Sequence, residues 1–116
     1  YLFETHMPLA DNARKHACQM LVDAVSDKAK DNTPAFCTGD FNATPDAPEI
    51  ATTICQSGIL KDAYREATIQ HGALFTFPSK KTRIDFIFVK HATVLSTRTI
   101  VSSLSDHYPM VIVVEI

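Results

Sequence analysis

"TGDFNATPD" spans Thr38 to Asp46, directly after the apolar run "AFC" (35–37). A short apolar run closed by glycine reads as a buried strand. The Thr-Pro pair beyond it reads as a helix start, with Thr44 as N-cap and Pro45 at the first helical position. Asp40 and Asn42 fall where strand gives way to helix. Asp and Asn are ordinary turn formers, and the nonapeptide alone could be no more than a strand-to-helix turn.

The neighbouring sequence extends the same alternation. Upstream, "YLFET" (1–5) is rich in β-forming residues and Pro8 breaks it. From Ala10 to Lys30 the pattern is helical. Ala13, Ala17, Leu21, Ala24 and Val25 fall on one face, with Arg14, Lys15, Asp23 and Lys28 mostly on others. Downstream, Ala47, Ile50, Ala51, Ile54 and Cys55 make the stripe of a second helix, and Gly58 suits a left-handed C-terminal position. "ILKDAYREA" (59–67) is a mixed segment with a helical turn, and "ALFTFPSKKT" (73–82) a loop with aromatic anchors. "RIDFIFVK" (83–90) alternates Ile84, Phe86 and Phe88 against Asp85, Ile87 and Val89. It reads as a strand carrying one carboxylate where an apolar residue is expected. "TVLSTRTIV" (93–101) and the closing "MVIVVEI" (110–116) are further strands, joined by the loop "SSLSDHYP" (102–109). The class is α/β, strands flanking two helices.

The chain has 116 residues, enough for one domain or part of one. At this size roughly 60–70% of the unfolded surface can be buried, so a core forms without metal or disulfide staples. Its formal net charge is −2. That gives no bulk attraction to polyanions and argues against processive binding of duplex DNA. Cys18, Cys37 and Cys55 are odd in number and widely spaced, which supports neither a disulfide framework nor a zinc knuckle. Three unpaired thiols lean toward a reducing compartment. No stretch is long enough to span a membrane.

Four points of polar chemistry sit at strand ends or within strands: His6, Asp40 with Asn42, Asp85, and Asp106 with His107. Strand ends on one sheet edge can converge into a site. A buried Asp85 is costly unless paired; Arg83 is two residues away on the same face and could as easily point to solvent. The contiguous Ser105, Asp106 and His107 do not make a nucleophilic triad, whose groups come from separate places. His6, Asp40, Asp106 and His107 could hold zinc, but hard oxygen donors in the set favour Mg²⁺ or Mn²⁺. Lys80, Lys81 and Arg83 could meet a phosphate, and Phe75 and Phe77 could line a pocket or anchor the core.

"GDFN" (39–42), "RIDFIFV" (83–89) and "SDHYP" (105–109), in this order, resemble the endonuclease/exonuclease/phosphatase superfamily, the deoxyribonuclease I-like enzymes. "ETH" (4–6), followed by a helix bearing Arg14, is similar to another of its segments. The resemblance implies half of a four-layer α/β sandwich, a mostly antiparallel sheet with two helices on one face. It implies metal-dependent hydrolysis of a phosphodiester or phosphomonoester by an activated water. Asp40 would orient or deprotonate that water, and Asn42 would help hold water and phosphate. His107 would contact the phosphate and act in acid–base catalysis, and Asp85 would fix its tautomer. His6 would be a second phosphate contact, Asp106 the metal-side carboxylate with Asp40 and Asn42 as further candidates, and Arg83 and Phe77 substrate contacts.

Family members are about twice this length, and their N-terminal half carries an asparagine and a metal-binding glutamate with no counterpart here. Residues 1–116 are therefore expected to be the C-terminal portion of one such domain, the N-terminal half and any targeting region being absent; many bacterial relatives are exported. Mg²⁺ or Mn²⁺ is expected to bind weakly or not at all, and the chain alone to be active or an inactive fragment or binding module. Substrates in view are a small phosphodiester, a lipid head group, a sugar phosphate or nucleic acid. A bare sheet face is expected to pair with a second copy or with an N-terminal fragment.

Overall fold

A computed structural model describes residues 1–116. The chain runs β1 (Leu2–His6), α1 (Asp11–Lys28), β2 (Ala35–Asp40), a six-residue π-helical segment (Glu49–Ile54), β3 (Lys61–Asp62), α2 (Ala63–Glu66), β4 (Ile69–Gly72), β5 (Asp85–Lys90), β6 (Thr93–Thr99) and β7 (Met110–Glu115). The expected α/β class is the observed one.

The strands form two sheets, in the orders β1-β2-β5-β3 and β4-β6-β7. β1 and β2 are parallel with α1 as their crossover, β5 is antiparallel to β2, and β3 is antiparallel to β5. In the second sheet β4 pairs parallel with β6, and β6 antiparallel with β7. The β2–β5 register matters most for function. It sets Asp40 directly opposite Asp85, and the β1–β2 register sets His6 beside Asp40.

One core lies between the first sheet and the two helical segments. Cys18, Val22 and Val25 from α1 meet Cys37 of β2, Phe86 and Phe88 of β5, and Ile50 and Ile54 of the π-helical segment. Phe41, fully buried one residue past β2, stands edge-on to Phe86 and Phe88 with ring centroids 5.6 and 5.1 Å away.

Three details differ from the sequence reading. The buried face of α1 runs Arg14, Cys18, Val22, Val25; Ala13 and Ala24 are exposed. The face rotates because the charge on Arg14 is answered inside the fold, by Glu49. The second helix begins at Glu49, not at Thr44. The Thr44 hydroxyl donates to Asp46 Oδ1 at 2.6 Å, so it does not cap the later segment. β4 was absent from the sequence reading, because "IQHG" neither alternates nor carries a β-branched run; it pairs only through β6. No helix is long and apolar enough to cross a membrane.

Candidate functional site

The site lies where β2 ends and β5 begins. Asp40 is the last residue of β2 and Asp85 the first of β5, so antiparallel pairing brings two carboxylates together from 45 positions apart. His107 arrives from the loop between β6 and β7. Its Nδ1–H donates to Asp85 Oδ2 at 2.7 Å, while its Nε2 faces Asp40 Oδ2 at 3.8 Å. His6 Nε2 approaches the same Asp40 oxygen at 3.6 Å, from a side chain that is 77% exposed.

Asn42 is placed by backbone geometry. Its φ is +49°, in the left-handed region that Asn tolerates better than most side chains. That turn lets the Asn42 N–H donate to Asp40 Oδ1 at 2.8 Å, while its Nδ2 donates to the Met7 carbonyl at 2.7 Å. One Asp40 oxygen is thus fixed by the backbone, and the other is left facing two imidazoles. The bland turn and the polar site are here the same structure.

Burial works against a charged His107, but the hydrogen bond it donates to Asp85 and the negative charges of Asp85, Asp40 and Asp106 outweigh it. The net effect raises its pKa above 6.5. The Asp85 contact also fixes the tautomer: Nδ1 carries its proton, and Nε2 is directed at Asp40 and the cavity.

Thr76 builds the frame around this pair and is missing from the sequence reading. It is fully buried. Its hydroxyl accepts from the Ile84 and Asp85 N–H groups at 3.1 Å each. Its carbonyl accepts from the Tyr108 N–H at 2.7 Å. One threonine thereby ties the start of β5 to the loop carrying His107. The only signal for it was a small polar residue between two aromatics in "FTF" (75–77), which is weak.

The other expected residues separate. Phe77 lies against His107, its ring centroid 4.9 Å from the imidazole. Arg83 does not reach the site. It is buried, donates through both terminal nitrogens to Asp62 at 3.1 and 2.8 Å, and stacks over Tyr64 and Phe86. This corrects the expectation of a substrate contact: a buried guanidinium needs a partner, and Asp62 takes its fork. Asp106 is exposed and stands outside the cluster, its nearest bond a 3.4 Å contact from Ser105 Oγ.

Asp40, Asp85 and His107 have ligand atoms within 4.8 Å of one another, a group that could hold a metal ion. The donor set is thin for a hard cation, which takes about six oxygens. Asp85 Oδ2 is committed to His107 and Asp40 Oδ1 to a backbone N–H. The free carboxylate oxygens of Asp40 and Asp85 fit one edge of a divalent-cation site, not a closed one.

Two cavities flank the trio. One, of about 370 Å³, is lined by Asp40 and Asp85 with Tyr108 and Met110. The other, of about 510 Å³, is lined by Asn42 and His107 with Leu9, Ala43, Phe77 and Lys80. The carboxylates open to one side, and the amide and imidazole to the other.

No curated protein sequence matches the chain. Among solved structures, an endonuclease/exonuclease/phosphatase from Bacteroides vulgatus is 29% identical with a TM-score of 0.80, covering 91% of this chain and 45% of its own. A mannosyl-6-phosphatase from Bacteroides thetaiotaomicron is 23% identical with a TM-score of 0.87, covering 99% and 51%. A humanized D. rerio TDP2 shares the fold at 16% identity and a TM-score of 0.73, covering 100% and 55%. The chain spans about half the length of these structures. The sequence model of the Endonuclease/Exonuclease/phosphatase family matches residues 3–107, a span holding His6, Asp40, Asn42, Asp85 and His107, and the chain belongs to that family.

Proposed function

We propose that this chain carries the water-activating half of a metal-dependent phosphoesterase site. The observation that supports it most is the convergence of Asp85, His107 and Asp40, with Nδ1 to Oδ2 at 2.7 Å and Nε2 to Oδ2 at 3.8 Å. Asp40 Oδ2 accepts a proton from the attacking water as its oxygen bonds to phosphorus. In its protonated form His107, oriented by Asp85 through Nδ1–H, gives an Nε2–H hydrogen bond to the phosphoryl oxygen where negative charge builds. Asn42 orients water and phosphate, and His6 is a further phosphate donor. The phosphorus–ester oxygen bond breaks in line, and the departing alkoxide takes up a proton from solvent water. Mg²⁺ or Mn²⁺ would neutralise phosphate charge on this edge of the site, with the free Asp85 oxygen as a ligand and Asp40 Oδ2 kept for the water.

The substrate in this reading is a phosphate ester with a compact organic group. The cavity beside His107 is about 510 Å³ and walled by Phe77, room for a ring rather than a duplex. The mannosyl-6-phosphatase relative supports a sugar phosphate over a lipid head group or nucleic acid. We propose further that residues 1–116 form the C-terminal portion of a single domain, completed across the exposed face of β7 by a complementary segment or a second copy.

The test is Mg²⁺-dependent hydrolysis of p-nitrophenyl phosphate and its diester by the purified chain and by His107→Ala. Loss of a positioned acid–base group is expected to lower the rate about 10²–10⁴-fold. Equal rates would leave the second reading, an inactive binding fragment, which the thin set of metal donors favours.

A further inference from the structure

Arg14 and Glu49 form a buried ion pair outside the Asp40–Asp85–His107 trio. They are only 8% and 2% exposed. Arg14 Nε donates to Glu49 Oε2 at 2.8 Å and Nη2 to Asp11 Oδ1 at 2.7 Å. Nη1 donates to the Leu9 carbonyl at 2.7 Å and reaches the Pro8 carbonyl at 3.5 Å. The guanidinium thus joins three pieces of chain: the start of α1, the π-helical segment, and the loop leaving β1.

That loop begins with Met7, which is stitched to the site from both sides. Its N–H donates to the Asp40 carbonyl at 2.8 Å, and its own carbonyl accepts from Asn42 Nδ2 at 2.7 Å. The next two carbonyls are the ones Arg14 holds. Arg14, Asn42 and His107 also line the same cavity.

Stability gives little reason for such a pair. Taking two charges out of water costs about as much as their attraction returns, and apolar side chains of similar volume commonly serve as well. What an apolar pair cannot do is hold two consecutive carbonyls at fixed positions while anchored to the π-helical segment. We infer that Arg14, braced by Glu49, is a positioning residue that sets the Met7 carbonyl and through it the orientation of the Asn42 carboxamide. With Nδ2 held by Met7, Asn42 Oδ1 is left to face water and phosphate. The step to phosphate binding rests on the phosphoesterase reading; the step to Asn42 does not.

The experiment uses the ¹⁵N-labelled full chain, with inorganic phosphate as probe and Asn42 and His107 resonances as readout. The double variant Arg14→Met/Glu49→Met removes the clamp without leaving a lone buried charge. It is expected to melt near the parent temperature, while the Asn42 NH₂ signals move toward free-amide positions and exchange faster. Its phosphate Kd is expected to weaken about tenfold or more, as loss of a second layer of support commonly does. Unchanged Asn42 signals with a Kd within about twofold of the parent would overturn the inference and leave a structural pair. Should the double variant not fold, Arg14→Lys gives the same readout, keeping a charge for Glu49 but losing the fork to Leu9 and Pro8. If the parent chain itself shows no phosphate response at His107 and Asn42, the phosphoesterase reading falls. The Asn42 signals then decide the clamp alone.

Discussion

At the scale of the residue, His107 joins fold and chemistry. Its pKa is raised in the folded chain by Asp85, Asp40 and Asp106 against the opposing effect of burial. The sign follows from linkage. Protonated His107 stabilises the fold fully below its unfolded pKa, and that contribution is lost as pH rises through the higher folded pKa. The melting temperature should therefore fall as pH climbs from about 6.5 through the folded pKa, and His107→Gln should lack this component in a matched melting series. A parallel fall in the variant would show that other groups carry it. Asp85 was legible because a carboxylate in an apolar strand demands a partner. Arg83 and Arg14 were not, since a lone Arg in a sequence reads as surface. Only tertiary structure reveals the buried carboxylates, Asp62 and Glu49, that answer them.

At the scale of the element, the βαβ unit and the β2–β5 pairing hold the site in place. Phe41 is the keystone, packed edge-on to Phe86 and Phe88 directly behind Asp40 and Asn42. Phe41→Ala is expected to cost about 3–5 kcal/mol of stability, as large truncations in a packed core do. Denaturant titration would measure it, and a loss under about 1 kcal/mol would mean the core collapses around the gap. Strands with strong alternation or continuous apolar runs were readable: β1, β2, β5, β6 and β7. β4 was not, because its residues are all exposed and its place is decided by pairing with β6. The face of α1 was misjudged for a related reason: helical period gives the spacing of a stripe, but where Ala lies on several faces it does not fix the azimuth.

At the scale of the molecule, the three-stranded sheet is incompletely covered. Val111 and Val113, on one face of β7, are 48% and 52% exposed, and Val101 and Leu104 beyond β6 are also open. A patch of this kind favours association, so size-exclusion chromatography is expected to show a concentration-dependent species larger than the 12.8 kDa monomer. A monomer unchanged from micromolar to millimolar protein would refute that. The register that sets Asp40 opposite Asp85 has a consequence for descent as well as for chemistry. Like charges facing each other across two strands oppose pairing, so on the proposed reading the two carboxylates are kept at some cost to durability. Asp40→Asn is accordingly expected to melt higher than the parent and, on the phosphoesterase reading, to lose hydrolysis, the trade-off common at such centres. In a lineage selected only for persistence, position 40 would be among the first to drift. A descendant with an amide there would keep the architecture and lack the carboxylate that the phosphoesterase reading requires.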